Sequence, residues 1–185
     1  MNIEFPKVDL THTLVFDFDG VFTDNKVYFR EDGLETVCCD RADGLALDFL
    51  RHFRATKNLD LDWFILSKEK NAVVEARAKK LQMPVYQGVG DKLEFLKNYF
   101  AERRADNSDN FAGMIYLGND LNDLPVISQA GFSVVPGDAH PMIKDVASVV
   151  LQQNGGNGFV RAFVEKFLGL DKLTIGEVNE LISNS

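Results

Sequence analysis

Apolar residues fall along this chain in two alternating patterns, short unbroken runs and longer stripes at helical spacing. Leu14, Val15 and Phe16 form one run, and Trp63 to Leu66 and Met114 to Leu117 form two more. Runs of this kind, with no polar alternation, predict strands buried on both faces, as in a parallel sheet covered by helices. Val85 and Tyr86, Phe132 to Val135 and Ser148 to Leu151 predict shorter strands of the same sheet. Between them lie stripes recurring every three or four residues: Ala46, Phe49, Leu50 and Phe53 in a helix opening at Asp43-Gly44, then Val74, Ala78 and Leu81, then Leu93, Leu96 and Phe100, and last Val160, Phe163, Val164 and Phe167. This alternation predicts a three-layer α/β fold with a mainly parallel sheet. One stretch differs. Lys26 to Arg30 and Leu34 to Cys39 flank Glu31-Asp32-Gly33, which predicts a β-hairpin flap over about residues 25–40. Its Val27, Phe29, Val37 and Cys39 share one face, which meets either the chain's own core or another subunit. Residues 103–110 predict a polar loop, and the end of the chain a frayed tail.

The polar residues that follow the runs carry the chemistry. Asp17 and Asp19 stand just after the first strand, Ser67 after the second, Lys92 at the start of a helix, and Asn119, Asp120 and Asp123 after the strand ending at Leu117. In an open α/β sheet these positions gather along one edge, where ligands bind. Two carboxylates one residue apart repel each other unless a cation lies between them, and oxygen ligands without thiolate or imidazole suit Mg²⁺. Taken singly, each residue has an ordinary structural use: an Asp-x-Asp shapes a turn, Ser67 caps a helix, and Asn122 and Asp123 cap the helix after them. Lys92 fits such a use less well, since a cation at a helix start opposes the dipole by up to ~1 kcal/mol. An anion beside it would explain the placement.

Composition narrows the choice. The 185 residues, 45% hydrophobic with 15 Phe, suit one domain with a sizeable core. A net charge of -8 gives no general basic footprint for nucleic acid or an anionic membrane. The two cysteines, Cys38 and Cys39, are adjacent, a spacing too short for an ordinary disulfide. With no signal-peptide pattern and no apolar run of spanning length, the expectation is a cytoplasmic protein.

The string Asp17-Phe-Asp-Gly-Val-Phe-Thr-Asp24 resembles the first motif of the haloacid dehalogenase-like phosphatases, DxDGVxTD in one sugar-phosphate branch, and Ser67, Lys92 and Gly118-Asn119-Asp120 follow in that family's order. The resemblance runs from about Leu14 to Phe167. It implies a Rossmann-like fold, Mg²⁺ as cofactor, and a branch akin to 3-deoxy-D-manno-octulosonate 8-phosphate and acylneuraminate-type (nonulosonate 9-phosphate) phosphatases. By it, Asp17 is the nucleophile that forms an aspartyl phosphate, and Asp19 is the acid and base. Ser67 and Lys92 hold the phosphoryl oxygens, while Asp17, Asp19, Asn119 and Asp120 hold the metal. Asp123 orients Lys92 or the metal's waters. Asn119 departs from the family pattern, in which an Asp follows the Gly. An amide oxygen ligates Mg²⁺ without bringing charge. Glu69 stands where octulosonate phosphatases usually carry Arg, and an acid there accepts hydrogen bonds from sugar hydroxyls. Arg41, Arg77 and Arg161 are candidates for the substrate carboxylate. The intervals around Ser67 leave no room for a cap domain. A neighbouring subunit is the expected lid, in a homotetramer joined through the hairpins, with the glycine-rich segment and helix of residues 154–170 reaching toward a neighbour's site. A non-catalytic domain serving oligomerisation or regulation beside a sialic acid-activating enzyme is the rival expectation.

Overall fold

The computed structural model describes residues 4–103 and 110–184. Residues 104–109 of the expected polar loop lie outside them. The chain enters through a short 3-10 turn, Val8–Leu10, into β1 (Thr13–Phe16). There follow a small hairpin of β2 (Tyr28–Phe29) and β3 (Glu35–Thr36), helix α1 (Ala42–Thr56), β4 (Asp62–Leu66), α2 (Ala72–Leu81), β5 (Val85–Tyr86) and α3 (Lys92–Arg103). The second half gives β6 (Met114–Leu117), α4 (Leu124–Ile127), β7 (Phe132–Val135), α5 (Pro141–Val146), β8 (Val149–Val150), α6 (Phe159–Leu168) and α7 (Ile175–Asn184).

Six strands make one sheet in the order β5-β4-β1-β6-β7-β8, and every pairing in it is parallel. The apolar runs explain the layering. Side chains alternate across a strand, so Leu14, Phe16, Trp63 and Ile65 pack toward α1, α2 and α6, while Val15, Phe64, Leu66 and Tyr116 pack toward α3, α4 and α5. Both faces are therefore covered, and β1 lies near the middle. Its register sets Phe16 opposite Ile65 on one side and Leu117 on the other. The three strands thus end at about the same height, and the residues after them are brought together.

Two elements differ from the expectation. The hairpin pairs over only two residues per strand, with one further bridge between Thr23 and Cys39 at its base. Its apolar set divides, Val37 and Cys39 packing against the core while Phe29 is 73% exposed. The end of the chain is not a frayed tail but the helix α7, whose Leu181 joins Leu173 and Leu170 against Phe49 and Phe53 of α1.

Candidate active site

Asp17 leaves the end of β1 with its backbone N–H donating to Leu117 O at 2.8 Å, which ties the two central strands together just below the site. The next turn is tight. Gly20 has φ +75°, and a Cβ there would lie 1.9 Å from Asn119 Nδ2, so only glycine admits both the turn and the amide beside it. Gly155 and Gly156 back the same turn from behind, where a Cβ on Gly155 would strike Gly20 O at 2.0 Å.

A buried ion-pair network fills the floor. Lys92 Nζ is 2.8 Å from Asp17 Oδ1 and 2.8 Å from Asp123 Oδ1, and Lys92 is only 3% exposed. Asp17 Oδ1 also accepts from the Phe18 N–H at 2.8 Å. Asp123 is fixed on every side: Tyr116 Oη donates to Oδ1 at 2.7 Å, and the N–H groups of Asn119 and Asp120 donate to Oδ2 at 2.9 and 3.3 Å. Asp123 thus holds the lysine and closes the turn at residues 120–123, and its side chain makes no cap to the helix α4 after it. Burial would strip the charge from Lys92, but the carboxylates of Asp17 and Asp123 outweigh it and hold its pKa above the usual value. Burial pushes Asp17 up to about 7, with Asp123 adding to the rise and Lys92 opposing it. Asp19 is also raised, by burial and then by Glu69, against the pull of Lys92.

Asp17, Asp19, Ser67, Glu69, Asn119 and Asp120 all line one cavity of about 530 Å³, a size that suits a small organic ligand. Val27, Glu35 and Val37 of the hairpin line it from above. Ser67 does not cap α2; Asn71 does, accepting from the Val73 N–H at 3.0 Å, and Ser67 Oγ donates to Glu69 O at 3.4 Å. The three arginines lie outside this cavity in their own chain. Arg41 is exposed at the start of α1. Arg77 Nη2 donates to Asp40 O at 2.5 Å and lies 3.7 Å from Asp43 Oδ2, held by the base of the flap. Arg161 Nε donates to Glu165 Oε1 at 2.6 Å, and its guanidinium sits over the Phe49 ring.

The donor set at the cavity floor suits a hard divalent cation. Asp17, Asp19, Asn119 and Asp120 present oxygen ligands to one space, and no thiolate or imidazole lines it. Among the described residues, no group of three or more His, Cys, Asp or Glu side chains is arranged around a metal position, and Asn119 offers a neutral amide oxygen beside the acids. One or two carboxylates with retained waters are what Mg²⁺ ordinarily accepts.

The family model for haloacid dehalogenase-like hydrolases matches residues 60–163. The chain belongs to the haloacid dehalogenase-like hydrolases. The 3-deoxy-D-manno-octulosonate 8-phosphate phosphatase of Yersinia pestis is 32% identical over 162 residues, covering 86% of this chain and 81% of that protein. A structure from Streptomyces avermitilis assigned to the same hydrolase family superposes with a TM-score of 0.81 at 36% identity, covering 93% of this chain and 94% of the other. The 3-deoxy-D-manno-octulosonate 8-phosphate phosphatase of Moraxella catarrhalis, solved with magnesium, phosphate and its sugar acid, gives 0.76 at 26% identity, covering 88% of each. Family and relatives together make this haloacid dehalogenase-like hydrolase a phosphatase. Three residues that the sequence left unassigned belong to its cleft. Tyr116 read only as a strand residue, although a buried phenol implies a partner for its hydroxyl. Glu35 and Asn71 gave no such signal.

Proposed function

We propose that this phosphatase hydrolyses a 2-keto-3-deoxy sugar-acid phosphate, an octulosonate 8-phosphate or a nonulosonate 9-phosphate, through an aspartyl phosphate on Asp17. The observation that carries the reading is the ammonium of Lys92, buried at 2.8 Å from both Asp17 and Asp123 at the sheet edge. With Oδ1 of Asp17 held by Lys92 and the Phe18 N–H, Oδ2 is the oxygen left to attack phosphorus. As that bond forms, the bond from phosphorus to the sugar oxygen breaks, and Asp19, whose carboxyl burial and then Glu69 hold above its usual pKa, is the group placed to protonate the leaving oxygen. Asp19 then takes a proton from water, which attacks phosphorus and releases inorganic phosphate and the Asp17 carboxylate. Ser67 Oγ donates to a phosphoryl oxygen, and Lys92 offsets the charge gathering on the others. Asp17, Asp19, Asn119 and Asp120 would hold Mg²⁺, which would supply further charge neutralisation at the phosphoryl group.

Substrate recognition falls to the cavity mouth, where Glu69 and Glu35 offer acceptors for sugar hydroxyls. Glu69 in place of the usual Arg favours the nine-carbon acids. The exposed Tyr28, Phe29 and Leu34 on the hairpin support assembly of a homo-oligomer, which also supplies the lid that one domain without a cap lacks. A purely structural domain has no use for a buried Asp-Lys-Asp set, whose desolvation is costly. The test is Mg²⁺-dependent phosphate release from 3-deoxy-D-manno-octulosonate 8-phosphate and from the 9-phosphates of ketodeoxynonulosonate and N-acetylneuraminate, with Asp17→Asn as control. Selective turnover of one compound assigns the substrate, and no release from any of the three rejects the sugar-acid reading.

A further inference from the structure

The flap is thinly attached to the body of the enzyme. Its two strands pair over two residues each, and Tyr28, Phe29 and Leu34 stand exposed. Among the described residues, one side-chain hydrogen bond joins residues 27–37 to the body, Asn71 Nδ2 donating to Glu35 Oε2, while Arg77 holds the base of the flap at Asp40 O. Both residues line the cavity that holds Asp17.

Asn71 is itself held twice more. Its backbone N–H donates to Gln87 Oε1 at 3.0 Å, and its Oδ1 accepts from the Val73 N–H at 3.0 Å as the cap of α2. The loop that it closes, residues 67–71, is held to the segment after β5 by Ser67 N–H to Tyr86 O at 2.9 Å and Gly88 N–H to Glu69 O at 3.2 Å. With its oxygen committed to the helix cap, Asn71 has only its NH₂ to offer the flap, and the carboxylate of Glu35 is a matching acceptor. The rigid loop carrying Ser67 and Glu69 thereby holds the strand carrying Glu35, one residue from Thr36 and two from Val37.

We propose that Asn71 is a positioning residue that latches the flap over the cleft, and so sets the fit of the part of the substrate that lies beyond the phosphate. The consequence for turnover rests on the phosphatase reading above; the latch itself does not. The chemistry of the pair makes the test selective. Asn71→Asp keeps an oxygen to cap α2 but removes the donor and sets two carboxylates face to face. Glu35→Gln in that background turns the bond around, with the new amide donating to the new carboxylate.

For Asn71→Asp, hydrogen exchange at the flap amides is expected to quicken about tenfold, and KM for the sugar-acid phosphate to rise about tenfold with kcat changed less than about threefold. Adding Glu35→Gln returns flap exchange close to that of the unaltered enzyme, and exchange alone is the readout for the reversed pair, because Glu35 also faces the sugar hydroxyls. Should Asn71→Asp not fold, Glu35→Ala, on an exposed strand, carries the same exchange prediction. Flap exchange unchanged on breaking the pair, or quickened without rescue by the reversed pair, overturns the latch. Failure of the unaltered enzyme to hydrolyse any sugar-acid phosphate rejects the phosphatase assignment instead, and the exchange measurements then decide the latch alone.

Discussion

The inner and outer halves of the cleft are built on opposite principles. Inside, Asp17, Lys92, Asp123 and Tyr116 are buried and joined by contacts of 2.7 to 2.8 Å, each held by the end of a packed strand or the start of a helix. Outside, the wall is a hairpin of two-residue strands with exposed aromatic residues, held by side chains at its base through Arg77 and above the cavity through Asn71. Phosphoryl transfer needs fixed charges, and these are cheapest to fix where the sheet already orders the backbone. On the proposed function, choosing a sugar needs a surface that can change without disturbing the charges, and the division would let selectivity vary while the chemistry stays in place.

The sharpest way to break this comparison is at its centre. Asp17→Asn removes the attacking oxygen's charge while preserving shape, and phosphate release is expected to fall by at least ~10⁴-fold. A residual rate within tenfold of the original would show that the nucleophile is elsewhere. Lys92→Met tests whether charge or packing holds the inner half. It leaves Asp17 and Asp123 buried with no shared cation, which should cost about 3–5 kcal/mol in urea unfolding at neutral pH. A loss under ~1 kcal/mol would mean that the carboxyls do not depend on the ammonium.

The same division governs what the sequence disclosed. Much of the inner half was legible because Asp17 after Phe16 and Ser67 after Leu66 end apolar runs whose burial fixes their height, and Lys92 stands against the dipole of its helix, whereas Tyr116 within its run read only as a strand residue. The outer half was not, because the Glu35–Asn71 contact joins residues 36 apart on surfaces with no hydrophobic period. Arginines are hard to place for a related reason: a charge says nothing of the direction in which its long side chain runs, and in its own chain Arg77 reaches the flap base and Asp43. The helix α7 is a different kind of miss. Leu173, Ile175, Val178, Leu181 and Ile182 do carry a helical stripe, and polar residues between them masked it.

Asp43 lies between the two halves and sharpens the comparison through pH. It is 1% exposed at the start of α1, with both carboxyl oxygens lacking a hydrogen-bond partner among the described residues. Burial raises its pKa to about 7, and Arg77 only partly opposes this. The folded value thus lies above the unfolded one, near 3.9. Stability from this group is complete below about pH 4 and is lost as pH rises toward 7, by up to ~4 kcal/mol at about 1.36 kcal/mol per unit. Asp43→Asn should remove that part of the slope, so the difference between variant and parent in urea unfolding grows from pH 5 to pH 8 in favour of the variant. A difference that does not change with pH would mean that Arg77 keeps Asp43 ionised throughout.

The smallest effect is expected where the inner half is most redundant. Tyr116 donates one of the bonds that fix Asp123, but Lys92 and two backbone N–H groups hold that carboxylate as well. Tyr116→Phe removes a donor without orphaning the acceptor, so the stability cost should be near ~1 kcal/mol. With Asp123 still anchored, Lys92 keeps its place, and kcat should fall about threefold to tenfold with KM unchanged, since an interaction felt in the transition state is being loosened rather than lost. A fall beyond a hundredfold would overturn the redundancy. It would make the phenol the one support that aims the lysine at the phosphoryl group, and the rigidity of the inner half would then rest on a single hydroxyl.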